Sequence, residues 1–223
     1  MKTKFFFRTF ATALIFSLAL FVSAGSIDYY QGWIFLIVNI ITCLLNFWTI
    51  KDYPELITER LHPGEGTKSW DKLILGIAAF VYLINVIVAG LDSGRFQWSP
   101  TFHWSLYTLG TMLMLLGQVI FLIARKENKY FSSIIRIQSD RNHSVCDTGI
   151  YKLVRHPGYL GVTISLLGFP LITGSLWSIL PTIVASLLLF IRTYLEDKTL
   201  KTELLGYVEY TKRTRYLLIP KLW

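Results

Sequence analysis

Six runs of apolar residues divide this chain: Phe10 to Ala24, Trp33 to Ile50, Leu73 to Leu91, Phe102 to Ala124, Tyr159 to Ile172 and Leu176 to Tyr194. Most approach the roughly 20 residues that a helix needs to cross a bilayer, so the pattern predicts an all-α, polytopic transmembrane helical bundle. The fifth run is short, reaching about 24 Å from Pro157 to Ile172 at about 1.5 Å per residue. Phe169, Pro170 and Gly174 supply a break after it, Ser175 is placed to cap the sixth helix, and Pro181 is expected to kink that helix. The fifth and sixth runs therefore form a C-terminal helical hairpin whose two ends meet on one side. Between the second and third runs, Pro54 to Leu61 reads as a short interfacial helix, followed by a turn at Pro63 and Gly64. After Ala124, Tyr130, Phe131, Ile134, Ile135 and Ile137 interleave with Arg136 and serines, as in an amphipathic segment on the membrane surface. Residues 1–124 thus hold four helices and short loops, and residues 125–223 hold this connector, the hairpin and a polar tail.

Composition agrees: 53% hydrophobic and 16% charged residues are too apolar for an ordinary soluble domain. The first run, flanked by MKTK and VSAGS, also fits a secretory signal, but a polytopic chain needs no cleaved signal, and it is read as a retained helix. Charge sets the orientation. With the N-terminus inside, every Lys and Arg except Arg95 falls on the inner side or its boundary, so both termini are predicted to be cytoplasmic. Trp33, Trp48, Trp98, Trp104 and Trp177 sit near predicted helix ends, where interfacial tryptophans belong. The net charge of +8 is accounted for by orientation and anionic headgroups, and no nucleic-acid partner is expected. Cys43 lies in an apolar run and Cys146 in a loop, so neither a disulfide nor a metal site is expected.

Polar residues within the runs read mainly as packing. Asn39, Thr42 and Asn46 share about one face and are placed to bond across helices, while Tyr82 and Asn85 lie among aliphatic residues of the third run. Gly110 and Gly117, seven apart, let another helix approach closely. Gln118 is a weak functional candidate, and His103 is interfacial.

The chemistry gathers in DTGIYKLVRHPGYLG, Asp147 to Gly161, and RTYLED, Arg192 to Asp197. His156 is pushed towards extended geometry by Pro157, which suits the first position of a helix. The amides of Gly158, Tyr159 and Leu160 would then face an anion beside Arg155 and His156. Gly149 permits a turn, and Gly158 and Gly161 leave room for close approach. Arg192 and Glu196 are four apart on one helix face, with Asp197 about 100° away. The hairpin brings both clusters to one membrane boundary.

These motifs, with the closing GYVEYTKRTRYLLIP from Gly206 to Pro220 and a weaker echo in GLDSGRFQWS, resemble the isoprenylcysteine carboxyl methyltransferase and phospholipid methyltransferase family of membrane enzymes. The resemblance covers roughly the last hundred residues. It implies an S-adenosyl-L-methionine-dependent methyltransferase with a cytoplasmic cofactor pocket, acting on a lipid-linked or small apolar acceptor such as a prenylcysteine-type carboxylate. It places His143, Gly149, Tyr151, Arg155, His156, Pro157, Tyr159, Gly161, Glu196 and Asp197 at the cofactor and Arg192 and His156 in catalysis, with residues 135–143 shaping the pocket. The carboxylate of the cofactor is expected on Arg155 and the Pro157 helix terminus, and its ammonium or ribose on Glu196. A carboxylate or thiolate acceptor needs only orientation by Arg192; an amine or neutral thiol needs His156 or Glu196 as a base. Ile150, Asp197 and Lys221 depart from the family pattern of proline, glutamate and glycine. No strand leads into G-x-G-x-x-G, against a Rossmann-type enzyme. Membrane sterol and steroid reductases, which bind NADPH, share an R-H-P-x-Y-like turn and form the second reading; a non-catalytic membrane protein is the third. Oligomeric state is left open.

Overall fold

The computed structural model describes residues 2–62 and 65–223, so the expected turn at Pro63 and Gly64 lies outside it. All regular structure among the described residues is helical: α1 (Lys2–Ala24), α2 (Tyr30–Ile50), α3 (Pro54–Leu61), α4 (Ser69–Ala89), α5 (Trp104–Glu127), α6 (Pro157–Thr173), α7 (Ile179–Glu203) and α8 (Tyr207–Arg213). A π-helical segment, Gly90–Phe96, continues α4. Five helices, α1, α2, extended α4, α5 and α7, are long and apolar enough to cross a membrane, while α6 has only 17 residues. This is the helical bundle predicted from the apolar runs, with the short interfacial helix at its expected bounds.

The closest helix contact joins antiparallel α5 and α6 through paired glycines. A Cβ on Gly161 would lie 2.5 Å from the carbonyl oxygen of Gly117, and one on Gly168 would lie 2.6 Å from that of Gly110. The glycine pair expected to admit a neighbouring helix therefore meets a second such pair, and backbone touches backbone. Around this seam Leu20, Tyr29, Phe35, Val86, Phe169 and Ile172 form the main buried cluster.

Several boundaries differ from expectation for identifiable reasons. The helix α6 runs through Phe169 and Pro170 and stops only at Gly174, whose φ of 69° gives a left-handed cap. Ser175 does not cap α7. Its hydroxyl donates to Asp92, which also accepts from the Ser99 amide and hydroxyl and from the Trp177 amide, so the hairpin tip is fastened to the end of α4. Helix α7 then starts at Ile179, and Pro181 falls in its first turn, where a missing N–H costs no helical bond. Asn39 bonds within its own helix, to Phe35, whereas Asn46 reaches across, accepting from Arg125 at 2.7 Å, and Asn85 on α4 donates to the Thr182 hydroxyl on α7 at 2.9 Å.

The connector after α5 also departs from the surface segment expected. It contains only two short 3-10 turns, Ser139–Arg141 and Gly149–Lys152, and Tyr130, Ile135, Arg136 and Gln138 are buried. Glu59 on α3 accepts from Arg136 at 2.8 and 3.0 Å, and Asp71 on α4 accepts from the Ile135 amide at 2.8 Å. Ion pairing thus draws the segment inward, over the end of the bundle where α4 and α6 begin and α5 and α7 finish.

The glycine seam makes a signed prediction. Gly161→Ala should destabilise the protein by about 1–3 kcal/mol through overpacking, whereas Gly76→Ala, at a site where an added Cβ meets nothing within 4 Å, should stabilise it by about the usual helical gain of 1 kcal/mol. Thermal midpoints in detergent check both, and equal shifts would remove the seam from the account of stability.

Candidate functional site

Under the connector lies a cavity of about 370 Å³. One face of α7 lines it with Ala185, Leu188, Leu189, Arg192, Glu196 and Leu200, in which Ala185, Leu188 or Leu189, Arg192, Glu196 and Leu200 follow one another at three or four residues. Ile74, Leu75, Ala78 and Tyr82 of α4 and Tyr159, Val162 and Leu166 of α6 form the facing walls. Ala185 stands seven residues from Arg192, about 10 Å deeper along the helix, so a polar mouth leads into an aliphatic channel between spanning helices.

The structure brings His143, Tyr151, Arg155, His156, Tyr159, Arg192 and Glu196 to this one cavity. Their roles within the chain differ. Arg192 donates from Nε to Asp71 Oδ1 at 2.7 Å and from Nη2 to Asp71 Oδ2 and the Ser133 carbonyl. Its guanidinium lies 5.2 Å from the centre of the Tyr159 ring, leaving Nη1 without a hydrogen-bond partner among the described residues. The expected Arg192–Glu196 pair is not formed, because Asp71, fully buried in the first turn of α4, takes the guanidinium instead. Glu196 is left with a buried Oε2 that has no hydrogen-bond partner among the described residues; His156 Nδ1 approaches it at 3.8 Å.

Arg155 is a clasp. Its Nε donates to Asp197 Oδ1 at 2.7 Å, and Nη1 donates to the carbonyls of Thr214 and Arg215. Asp197 also accepts from the Tyr207 hydroxyl at 3.0 Å and pairs with Lys201 at 2.6 Å. The backbone agrees: Arg155 and His156 amides donate to the Tyr216 and Leu217 carbonyls, each at 3.0 Å, and the Tyr210 hydroxyl donates to the Tyr151 carbonyl at 2.7 Å. The RHP turn, α7 and the tail are therefore one unit. His156 is held within it, stacked on Tyr159 at 5.7 Å between ring centres.

Four expected residues lie elsewhere. Gly161 faces α5, where the glycine seam excludes any side chain. Gly149, at φ 50°, packs against the Glu127 carboxylate, which also accepts from Thr148. Pro157 starts α6 without lining the cavity, and Asp197 is turned into the clasp. The anticipated cluster of free amides is reduced as well, because the Tyr159 and Leu160 amides donate to the His156 carbonyl. Gln118 does not line the cavity. Sequence reasoning missed Asp71 and Tyr207. A single acid opening the apolar run of TKSWDKLIL, on the face that carries Ile74, Leu75 and Ala78, was the available signal for Asp71.

His143 covers the outer side of the site. Its Nδ1 accepts from the Gln138 amide, and its ring packs 4.4 Å from that of Tyr130. Burial, and then the nearby Arg136 and Arg141, push its pKa down from 6.5 to about 4. The folded chain therefore refuses a proton that the unfolded chain accepts, so His143 contributes stability above about pH 6.5 that is lost as pH falls towards 4. His143→Gln should reduce the fall in thermal midpoint between pH 7 and pH 4.5. Parallel pH profiles for the two proteins would reject this account.

Comparison with known proteins places this geometry. Residues 105–204, a little under half of the chain, match the family model described as phospholipid methyltransferase. Among curated proteins, a "Probable protein-S-isoprenylcysteine O-methyltransferase" of Oryza sativa subsp. indica is 33% identical over 67 residues, covering 30% of this chain and 35% of that protein. "Protein-S-isoprenylcysteine O-methyltransferase A" of Arabidopsis thaliana is 30% identical over 67 residues, covering 30% and 34% respectively. The chain spans about a third of the length of these curated relatives. These similarities support the isoprenylcysteine and phospholipid methyltransferase family recognised from the motifs. Together with five apolar helices, they support an integral membrane protein.

Proposed function

We propose that this chain is an integral-membrane methyltransferase that uses S-adenosyl-L-methionine and acts on a lipid-linked or small apolar acceptor. The observation that carries the reading is one cavity in which Glu196, its Oε2 without a hydrogen bond among the described residues, and Arg192 stand at the mouth of an aliphatic channel. A buried acceptor atom without a donor is costly unless a ligand satisfies it, and an ammonium or ribose hydroxyl supplies what Glu196 Oε2 lacks. His156, Tyr159 and the connector residues around His143 give the flat, partly apolar walls that suit an adenosine. When bound, the cofactor supplies an electrophilic methyl group on a sulfonium. Arg192, held by Asp71 and Ser133, presents Nη1 to orient the acceptor, while the channel of Ala78, Leu166, Ala185 and Leu188 receives its apolar tail. The roles of Arg155 and Asp197 are then indirect: they fix the RHP turn against α7, which sets His156 and Glu196 around the same space.

The distribution of Lys and Arg supports reading both termini as cytoplasmic, and on that reading the polar cofactor reaches the mouth from water and the acceptor arrives sideways from the bilayer. An NADPH-dependent sterol-type reductase gains no support from the matched relatives, which are named as methyltransferases.

The test is charge removal at constant shape. Glu196→Gln should weaken S-adenosylhomocysteine binding about tenfold or more, the scale of one charge-assisted hydrogen bond. Folded yield should be unchanged, since Glu196 Oε2 makes no hydrogen bond among the described residues. Calorimetric titration of the purified protein reads the affinity, and an unchanged dissociation constant would take Glu196 out of the cofactor site.

A further inference from the structure

Among the described residues, the charges facing the cavity do not all find partners within the chain. Arg136 is paired with Glu59 and Asp140, Arg155 with Asp197 and Arg192 with Asp71. Two lining groups are left over. One is Glu196, already assigned to the cationic methyl donor; the other is Arg60. This arginine lies one residue before the end of α3, on a helix anchored by Leu56, Ile57 and Leu61 in a cluster with Phe5 and Ile50. It lines the cavity yet has no hydrogen bond or ion pair among the described residues. Neighbouring acids are committed elsewhere: Glu59 to Arg136 and Ser132, Glu55 to Arg141, and Asp71 to Arg192 and the Ile135 amide.

The surroundings make this cation more in need of a counter-ion. Arg8 and Arg192 are close enough to act on it electrostatically, and burial, ahead of both of them, lowers its pKa to about 10. At neutral pH it remains charged. Arg125, which also feels the Arg60 charge, is hydrogen-bonded only to the neutral groups of Asn46 and Thr49. Arg8, Arg125 and Arg192, from three other helices, therefore lie within electrostatic reach of Arg60, and among the described residues the carboxylate bonded directly to this group is that of Asp71. Ionisable groups at a membrane boundary are retained where they meet a partner, and a guanidinium fork matches a planar or tetrahedral oxyanion.

Resting on the methyltransferase reading above, we infer that Arg60 is a specificity-determining residue that holds the anionic oxygens of the acceptor's headgroup, a carboxylate or a phosphate, at the mouth of the aliphatic channel. The site then takes two ligands of opposite sign, the sulfonium donor against Glu196 and an oxyanion-bearing, apolar-tailed acceptor against Arg60. A neutral acceptor of the same shape would leave Arg60 uncompensated and would bind more weakly.

The full-length protein in lipid nanodiscs tests this with Arg60→Gln and Arg60→Lys. Methyl transfer from labelled S-adenosylmethionine is followed to a prenylated cysteine with a free carboxylate, and separately to phosphatidylethanolamine, so that the two oxyanion sources are told apart. For whichever acceptor is methylated, Arg60→Gln should raise KM about tenfold, with kcat and S-adenosylhomocysteine affinity changed less than about twofold, and Arg60→Lys should recover part of the loss. The free acid of the prenylated cysteine should also inhibit the wild type about tenfold better than its carboxamide, a preference that disappears in Arg60→Gln. Equal KM values in wild type and Arg60→Gln, or equal inhibition by acid and carboxamide, would overturn the assignment while leaving methyl transfer standing. Loss of S-adenosylhomocysteine binding in the wild type itself would instead overturn the methyltransferase reading and this inference with it.

Discussion

Charge pairing at a membrane boundary is the constraint on which the rest of this structure depends. Burying a guanidinium or carboxylate costs several kcal/mol unless the partner is close and its remaining hydrogen bonds are met. Asp71 with Arg192, Glu59 with Arg136 and Asp197 with Arg155 satisfy that requirement across different elements. Each pair therefore does two things, neutralising a buried charge and fixing where two segments meet. Together they tie α4 to α7, α3 to the connector, and the RHP turn to α7. What they enclose is a space where Arg60 and the Glu196 Oε2 have no hydrogen-bond partner among the described residues, which is how a ligand site differs from a merely well-packed core.

The apolar part of the bundle supplies the other half of the positioning. Because α5 and α6 touch through Gly110, Gly117, Gly161 and Gly168, the start of α6 is drawn tightly against the end of α5. Tyr159, two residues into α6, consequently faces the cavity beside Arg192, while Gly161 faces the opposite way. A seam of small residues thus orients a polar site one turn away. The hairpin tip is fixed independently by the buried Asp92 and its four donors, so the short α6 is pinned at both ends.

Much of this was legible in the sequence, because hydrophobic run length, proline position and the direction of a helix are local properties. The apolar runs located the spanning helices, Pro54 and Pro157 marked two helix starts, and the RHPGY and RTYLED motifs pointed to the two segments that line the cavity. Less legible was which member of each motif turns inward. Arg192 and Glu196 have the spacing of an ion pair, yet Arg192 chooses Asp71, 121 residues away, and no pattern along the chain encodes that choice. Arg155 looked like a free cation but is consumed by Asp197 and the tail. Gly161 sits in a functional motif and acts as a packing residue, because the same glycine-rich stretch serves both seam and site. The connector was misread as a surface segment since its burial rests on two carboxylates, Glu59 and Asp71, contributed from outside it.

The bonding of the Arg155 and His156 amides to Tyr216 and Leu217 has a bearing on how the protein comes into being. The accepting carbonyls follow α6 and α7 in the chain, so the turn that shapes the pocket lacks its brace until both helices of the hairpin have come together. The binding-competent form accordingly needs a stretch that spans nothing to fold back onto the hairpin and close it.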